Sequence, residues 1–469
     1  MQTYSYQRQI PCEKSYDVVV AGGGPAGVSA AISAARLGAK VLLIEATGTL
    51  GGMGTAGLVS IWLSLSDGVR VLSKGLFWET LTRVHAAGGM HQTVDLGTFD
   101  QRLGVCVGFA PEVLKRLLDQ MCAEAGVDVL LCTRLIDVDA DPAAGRVRGA
   151  IIHHIEGIRY VPAKAFIDAT GDAVLADLCK VPCREAGRDT PNIMPPTLCG
   201  VAVNIDWPRY WEACKTHVAR IEKGIADGFF SQPDRHVPGL FCGTGNTGIQ
   251  NAGHMFGTDA LRVRSLTAGY IKGRQLAAEY AEFFRRYWEG AENMHLVATA
   301  SLLGVRESRR IVGEYELNYH DFAARRHFAD QICVYNTGVD IHVYDTSQAE
   351  WERHVLEFHK RDRLGLGESY GLPYGIMVPR GWRNLWVAGR CASSDVKVNG
   401  AIRNQNAAFL MGQAAGTAAV QSNATGEPAC DLNVAKLVDT LRQNGAYLPQ
   451  TASPRAMTRA QPAPASGPA

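Results

Sequence analysis

Apolar runs and a helical pattern alternate near the start of the chain. Residues 18–21 are apolar or small, residues 28–37 form an Ala-rich stretch with helical character, and a second apolar run follows at 40–44. Short apolar runs on either side of a helical segment are typical of a βαβ unit with two parallel, buried strands. Residues 16–50 are therefore predicted to form the first such unit.

The same rhythm is present at later places in the chain. Residues 111–140 predict a helix that begins at Pro111 and a strand after Gly126, and residues 146–168 contain β-rich runs that end in a glycine turn. Residues 185–345 lose this rhythm and are rich in aromatic residues, Asn and His. It returns at 384–420 with a short apolar strand at 385–390. A helix over 401–420 follows, whose small residues permit close packing.

A G-x-G-x-x-G turn joins the first predicted strand to its helix. Gly22 permits the tight turn, Gly24 has no Cβ to keep the backbone from a pyrophosphate, and Gly27 allows helix and strand to pack closely. The helix N-terminus presents free N–H groups to the phosphates. Glu45 lies 18 residues beyond Gly27, near the spacing at which an acid accepts hydrogen bonds from a ribose. This order of parts predicts a dinucleotide-binding unit.

A second match to the same pattern, at residues 243–248, lacks this context. The apolar run before it is short and contains Pro238, and the residues after it have no helical pattern. We expect a loop there and not a second nucleotide site.

Composition and charge exclude several classes of function. The net charge of +1 gives no basic field for nucleic acid and no polybasic patch for a membrane surface. The 12 cysteines include no C-x-x-C pair, which favours a reduced, cytoplasmic protein. The first 15 residues are polar and do not resemble a secretory signal, and no apolar run is long enough to predict a membrane span.

Two further segments help to choose the dinucleotide. The glycine-rich stretch at 47–55 follows Glu45, and its backbone N–H groups and Thr55 are placed to meet a pyrophosphate from the other side. Late in the chain, Gly389 and Arg390 precede a helix whose N-terminus suits the flavin O2 edge, where negative charge develops on reduction. A site built from both ends of the chain suits a large, enclosed cofactor such as FAD.

These motifs together resemble a known family. From about residue 16 to residue 422 the chain resembles the FAD-dependent oxidoreductases of the glutathione-reductase-like superfamily, in the branch distantly related to fumarate reductase flavoproteins. The segments that carry the resemblance are 22–27, Glu45, 51–55, 167–172, 304–310, 387–390 and 412–416. The resemblance implies FAD as the cofactor and a two-electron redox reaction on a small-molecule substrate. It does not name the substrate, and residues 205–300 depart most from the family pattern.

We therefore expect an α/β fold with a Rossmann-like FAD-binding domain, built from N- and C-terminal segments, and an inserted α+β substrate domain. The predicted divisions are an N-terminal extension at 1–15, the FAD-binding domain at 16–184 and 370–450, a substrate or cap domain at 185–369, and a disordered tail at 451–469 that is rich in Pro, Ala, Ser and Thr. The sequence does not give the oligomeric state, although homodimers are the commonest closed assemblies.

The residues expected to bind the cofactor lie in the motifs and in the last helical segment. They are Gly22, Gly24, Pro25, Ala26, Gly27, Glu45, Ala46, Gly51, Gly52, Met53, Thr55, Ala169, Thr170, Gly171, Gly389, Arg390, Asn399, Ile402 and Arg403.

Three residues are candidates for catalysis. His254 lies in a polar, glycine-flanked segment and titrates near neutral pH, as the transfer of one proton requires, although a loop histidine bonded to the backbone is the simpler interpretation. Arg306 and Arg309 suit a bidentate contact with a substrate carboxylate or a developing oxyanion. The alternative for them is a structural cluster with Glu307 on a helix.

Other polar residues carry weaker predictions. Asn404 and Asn406 lie with Arg403 near the expected flavin ring, and residues 340–344 predict a strand with His342 and Tyr344 on one face of the substrate cavity. We interpret His153, His154 and Cys391 as structural.

Four functions compete at this stage. An FAD enzyme that oxidises or reduces a small organic substrate accounts for the most motifs, with O2 or another acceptor for the electrons. A disulfide reductase needs a redox cysteine pair and a second nucleotide unit, and neither is visible. A flavoprotein with structural or redox-sensing FAD would act through a partner. An NAD-dependent dehydrogenase leaves the motif at Gly389 and Arg390 unexplained.

Overall fold

A computed structural model describes residues 3–449, so the tail predicted at 451–469 lies outside the described residues. The helices are α1 (Pro25–Arg36), α2 (Leu76–Ala86), α3 (Pro111–Ala125), α4 (Val174–Leu178), α5 (Trp207–Ala213), α6 (His217–Ala226), α7 (Val263–Tyr287), α8 (Tyr319–Ala323), α9 (Gln348–Leu356), α10 (Val396–Ile402), α11 (Gln405–Thr425) and α12 (Val434–Gln443). None of them is long and apolar enough to cross a bilayer.

The strands alternate with these helices along the chain. They are β1 (Tyr16–Ala21), β2 (Val41–Ile44), β3 (Ile61–Trp62), β4 (Val107–Gly108), β5 (Asp128–Leu130), β6 (Arg134–Asp141), β7 (Arg146–His154), β8 (Gly157–Asp168), β9 (Cys183–Glu185), β10 (Gly200–Val203), β11 (Gly239–Cys242), β12 (Gly248–Asn251), β13 (His295–Thr299), β14 (Arg309–Ile311), β15 (Gln331–Tyr335), β16 (Tyr370–Pro373) and β17 (Leu385–Val387).

A parallel sheet is the centre of the fold. Its strands lie in the order β5–β2–β1–β8–β17, with Val20 opposite Leu43 on one side and Ile167 on the other. The central strands are apolar runs because both faces of the sheet are covered, one by α1 and α11 and the other by β6, β7 and α4. The last strand comes from the C-terminal part of the chain, which confirms the predicted α/β fold of two separated segments.

Strand β8 takes part in both parallel and antiparallel pairing. Its second half pairs in parallel with β1, while its first half pairs antiparallel with β7, which pairs in turn with β6. All parallel strands end at the same edge as Asp168, so the glycine turns after β1 and β8 meet there. Ligands of open α/β sheets bind beyond this carboxyl edge.

Helices α1 and α11 pack with their backbones in close contact. A Cβ added at Gly412 would collide with the carbonyl oxygen of Ala26, and one at Gly416 would collide with that of Ala30. The Ser29 hydroxyl donates a 2.7 Å hydrogen bond to the carbonyl of Phe409. The small residues of the predicted 401–420 helix thus join the N- and C-terminal segments.

A second sheet, in the order β11–β12–β10–β13, is antiparallel and has its own core. This core extends from Leu198 to Leu303 and includes aromatic residues of α5 and α7. Residues of β15 and β16 pack instead against the core of the parallel sheet. The division of the chain at 185 and 369 stays a prediction.

The structure differs from the sequence-based expectation at three places. Residues 340–344 form no strand in the structure, so the predicted strand there is wrong. The helix predicted over 401–420 is broken at Arg403 and Asn404 into α10 and α11. The segment before β14, which contains Arg306, is not a helix. Residues 243–247 form the turn of the β11–β12 hairpin, as expected for a loop.

Candidate active site

One cavity of about 1050 Å³ connects the carboxyl edge of the parallel sheet with the second sheet. A volume of this size is at the top of the usual range of about 300–1,000 Å³ for sites that enclose small molecules. The predicted residues that line it are Gly22, Gly24, Pro25, Ala26, Glu45, Ala46, Gly52, Met53, Ala169, Thr170, Gly171, Arg306, Gly389, Arg390 and Arg403.

The turn between β1 and α1 has the geometry that a phosphate site needs. Gly22 has a φ of 98°, in the left-handed region that favours glycine. A Cβ added at Gly24 would meet no protein atom within 4 Å, so the open space in front of it belongs to the cavity. Helix α1 begins at Pro25, and its first N–H groups lie at this end. The residues present therefore fit the pyrophosphate of a dinucleotide.

Glu45 holds this turn together and also lines the cavity. Its Oε2 accepts a 2.7 Å hydrogen bond from the Gly23 N–H, and its Oε1 accepts one of 2.7 Å from the Thr47 N–H. A carboxylate oxygen has a second lone pair, so Glu45 retains acceptor capacity toward the cavity. Its side chain fits the predicted ribose contact and organises the phosphate turn as well.

Several predicted cofactor residues lie behind the lining. The Thr55 side chain is buried, and its hydroxyl donates a 2.5 Å hydrogen bond to the Leu50 carbonyl. The expected contact of this hydroxyl with a pyrophosphate is therefore corrected: Thr55 fastens the glycine-rich loop instead. Asn399 is also buried, and its Nδ2 donates to the Arg390 carbonyl at 2.8 Å. Further predicted residues outside the lining are Gly27, Gly51 and Ile402.

Arg390 connects three segments around the cavity. Its Nη2 donates to Asp172 Oδ1 at 2.8 Å, and its Nη1 donates to the Val305 carbonyl at 3.0 Å. The guanidinium packs against Gly171, where an added Cβ would lie 2.9 Å from Nη2. Arg390 thereby holds the loop after β8 against the segment that contains Arg306.

The two arginines proposed for catalysis have different surroundings. Arg306 is 6% exposed and lines the cavity, and its Nη1 donates to the Pro195 carbonyl and, at 3.1 Å, to Thr197 Oγ1. Arg309 lies outside the lining and forms ion pairs with Asp177 at 3.1 Å and Glu185 at 3.4 Å. The structure thus places Arg306 in the site and Arg309 in a structural cluster.

A chain of hydrogen bonds runs through His254. Its Nδ1 lies 2.6 Å from Asp234 Oδ2, and its Nε2 lies 2.8 Å from His342 Nδ1. On the other side, His342 Nε2 lies 3.5 Å from Asp340 Oδ1, and Asp340 Oδ2 accepts a 2.8 Å hydrogen bond from Arg403. His342 lines the cavity, whereas His254 is fully buried behind it.

Two further histidines stack against this chain. The His236 ring lies 4.3 Å from the His342 ring and 4.0 Å from the His354 ring, with interplanar angles of 30° and 32°. Ring nitrogens of His236, His254 and His342 lie within 4.8 Å of one another, a spacing that a metal site also has. Metal ligands must aim in-plane lone pairs at one point, which the tilted stack of His236 on His342 does not do. We therefore interpret the group as hydrogen-bonded imidazoles.

The surroundings keep His236 and His342 neutral. Burial and the positive charge of Arg306 hold the pKa of His342 well below its usual range. Burial and the neighbouring His342 have the same effect on the pKa of His236. Burial and the charge of Arg403 lower the pKa of Arg306 to about 10. The cavity end near His342 thus combines neutral bases with guanidinium groups.

Sequence reasoning missed part of this end of the cavity. His236, Trp351 and Phe358 line it, although no motif marks them. The residues Asp234 and Asp340 were missed too, and only the spacing of Asp340 and His342 in an extended segment gave a signal. Among the weaker candidates, Asn404 lines the cavity, while Tyr344, Asn406, His153, His154 and Cys391 do not.

Comparison with known proteins gives the family. The sequence profile of the family described as FAD dependent oxidoreductase matches residues 17–441. The chain is 53% identical over 47 residues to a dihydrolipoyl dehydrogenase of Trypanosoma brucei brucei, which covers 10% of each protein. It is 35% identical over 191 residues to digeranylgeranylglycerophospholipid reductase 2 of Methanothermobacter thermautotrophicus, which covers 39% of this chain and 45% of the relative. The chain thus spans less than half the length of these relatives.

Solved structures are similar to the chain at low identity. A geranylgeranyl bacteriochlorophyll reductase-like protein of Thermoplasma acidophilum is 15% identical with a TM-score of 0.48, over 92% of this chain and 83% of that one. A flavin-dependent brominase is 12% identical with a TM-score of 0.43, over 92% and 83%. The profile match covers most of the chain and agrees with a cavity that fits a dinucleotide. The chain therefore belongs to the FAD-dependent oxidoreductase family and has FAD as its cofactor.

Proposed function

We propose that this enzyme exchanges a hydride between flavin N5 and a small organic substrate that carries an anionic group. The observation that carries the proposal is Arg306, a buried guanidinium in the lining of the cavity that begins at the phosphate turn. Among the described residues, no carboxylate lies within 4.0 Å of it. A buried charge without a partner is costly, and a bound anion would offset that cost.

The free edge of Arg306 suits a carboxylate. Its hydrogen bonds to the described residues are made by Nη1 alone, which leaves Nε and Nη2 without a protein partner. Neither atom is among the enclosed polar atoms that lack a partner, so both are open to the cavity. Two parallel N–H groups match the two oxygens of a carboxylate.

The neighbouring Arg403 contributes a second positive charge. It is held by Asp340 at 2.8 Å, and its Nε is enclosed without a hydrogen-bond partner. Apolar and aromatic side chains, among them Trp351 and Phe358, cover the rest of this end. The substrate that fits has a negatively charged group at Arg306 and a compact apolar body.

FAD, when bound, supplies a hydride acceptor or donor at N5. The residues of this chain then have two tasks. Arg306 holds the anionic group, which fixes the orientation of the reacting carbon. The histidine chain takes up the proton that accompanies the hydride, so that His254, proposed as a catalytic residue from the sequence, acts through His342.

Anaerobic mixing of the purified holoenzyme with small hydroxy and amino carboxylates, each paired with its neutral amide, tests this function. We expect at least one acid to bleach the flavin and its amide to be at least tenfold slower. Arg306→Lys should lower kcat/KM for the acid by tenfold or more, since lysine lacks the fork. The control Arg209→Lys, at an exposed ion pair with Glu292, should behave as wild type.

Two results would overturn the proposal. One is equal bleaching by each acid and its amide, with no effect of Arg306→Lys. The other is that no substrate reduces the oxidised flavin and no oxidised counterpart of the panel accepts electrons from the chemically reduced enzyme.

A further inference from the structure

His254 has both ring nitrogens occupied, and this determines how the neighbouring ring is protonated. The carboxylate of Asp234 accepts the hydrogen on His254 Nδ1, at 2.6 Å. When His254 carries only this hydrogen, its Nε2 is an acceptor. The group 2.8 Å away, His342 Nδ1, must therefore donate. The hydrogen of His342 is thus on Nδ1, and its Nε2 has a free lone pair.

The buried position of Asp234 makes this arrangement rigid. Its side chain is fully enclosed, and its second oxygen accepts a 2.9 Å hydrogen bond from the backbone N–H of His236. His254 is fixed from the backbone as well, because Gln232 Nε2 donates to its carbonyl at 2.8 Å. Thr197 bridges the backbones of His254 and Gly304, which ties the histidines to the segment of Arg306.

The lone pair on His342 Nε2 belongs to a residue in the cavity lining. Asp340 Oδ1 lies 3.5 Å from this nitrogen, and its negative charge attracts the imidazolium that forms when Nε2 takes up a proton. Arg403 holds the other oxygen of Asp340 and keeps it in place. The site therefore has a histidine base whose protonated form Asp340 stabilises and whose ring His254 holds in place.

We propose that His342 Nε2 is the catalytic base and acid of this enzyme, with Asp234 and His254 as positioning residues that set its tautomer. This inference rests on the proposed function and names the group that moves the proton. In the oxidative direction the C–H and X–H bonds of the substrate break and a C=X bond forms, X being oxygen or nitrogen. Bound FAD would take up the hydride with its two electrons, and the proton would go to His342 Nε2.

Every charged or titratable group near His342 enters its protonation. Burial, Arg306, His254, Arg403 and His354 all favour the neutral form of His342, in that order. Asp340 is the acidic group that favours the charged form, and His236 stacks on the ring. His342 is therefore a neutral base at neutral pH before reaction.

The tautomer of His342 can be measured without a substrate. In the holoenzyme with ¹⁵N-labelled histidine, long-range ¹H–¹⁵N NMR spectra should show His342, assigned by its loss in His342→Gln, as the Nδ1–H form at pH 7. Asp234→Asn should reduce the population of this form, while His153→Gln, at an exposed position on β7, should leave it unchanged. The Nε2–H form in wild type would overturn the inference. So would one metal ion per chain in wild type that is absent in His342→Gln.

Kinetics then test the role of the base. His342→Gln should lower the rate of flavin reduction by about 10²–10⁴-fold with FAD content and substrate Kd unchanged. Asp234→Asn should lower it less and change the pH profile of kcat/KM, which a merely structural loss would not do. Unchanged reduction in His342→Gln would overturn the inference while the acid and amide comparison at Arg306 stands. If no substrate reduces the wild type, the proposed function fails, and the NMR result decides the tautomer on its own.

Discussion

His254 Nε2 lies 2.8 Å from His342 Nδ1, so a fully buried histidine makes its contact with the cavity through a second histidine. Asp234, on the other side of His254, sets the direction of the hydrogen bond between the two histidines, because an ionised carboxylate can only accept. The same cavity extends to the glycine turn at Gly22. The cofactor end and the end proposed for proton transfer thus belong to one cavity.

The absence of a side chain at Gly24 is expected to matter for the cofactor alone. Gly24→Ala adds a methyl group that meets no protein atom within 4 Å but projects into the phosphate end of the cavity. We expect FAD affinity to fall tenfold or more, which is about 1.4 kcal/mol, with the melting temperature of the apoprotein unchanged. Gly365→Ala, at an exposed position outside the cavity lining, is the control. Equal FAD retention in both variants would contradict the phosphate assignment.

Replacing Glu45 is expected to weaken FAD binding by more than the loss of a single ribose contact. Glu45→Ala removes the acceptor for the Gly23 and Thr47 N–H groups as well as for the ribose, so the turn loses its organisation. We predict a loss of FAD binding of at least about 1.5–3 kcal/mol, measured by fluorescence titration of the apoprotein. Glu45→Gln keeps one oxygen acceptor and should lose less. Wild-type affinity in both variants would refute the role.

The charge of Arg306 is expected to control the protonation of His342. Its positive charge disfavours the imidazolium and lowers the pKa of His342. Arg306→Gln removes that charge, so the pKa of His342 should rise, and protonation begins at a higher pH. The acid limb of the pH profile for substrate oxidation should move to higher pH, as should the ¹⁵N titration of His342. A shift to lower pH, or none, would show that the two groups are not coupled.

Helix packing gives a prediction on stability. Gly412→Val places a side chain against the carbonyl of Ala26, in a contact where neither backbone can yield cheaply. We expect the free energy of unfolding to fall by about 1–3 kcal/mol or more, measured by denaturant titration. Ala424→Val, at an exposed position of α11, should change the free energy of unfolding by less than about 0.5 kcal/mol. A stable Gly412→Val protein would contradict the close contact of α1 and α11.

Local patterns predicted most of the parallel sheet because β1, β2 and β17 and the end of β8 are apolar runs, and glycine turns follow β1, β8 and β17. The order of the glycines and Glu45 predicted the cofactor end of the cavity because those residues are close in sequence. The proton-transfer end is different. Asp234, His254 and His342 meet through three separate segments, and the antiparallel sheet next to Asp234 and His254 has short strands with weak patterns.

Single positions show the same limit. Thr55 has the residue type for a phosphate contact, but its hydroxyl donates a hydrogen bond to the Leu50 carbonyl instead. Arg306 and Arg309 are three positions apart in one motif, yet only Arg309 met acidic partners, contributed by Asp177 and Glu185. Which neighbours a side chain meets depends on tertiary contacts that residue type does not encode. The placement of the family near fumarate reductase flavoproteins stays a prediction.

Hydride transfer inside the cavity is the central claim, and one measurement tests it most directly. Oxidised holoenzyme is mixed anaerobically, in a single turnover, with a saturating carboxylate substrate that carries hydrogen or deuterium on the reacting carbon, and the flavin absorbance is followed. The account predicts one oxidised substrate per flavin bleached and a slower bleaching with deuterium. Bleaching at the same rate with both isotopes would contradict direct transfer of hydrogen from that carbon.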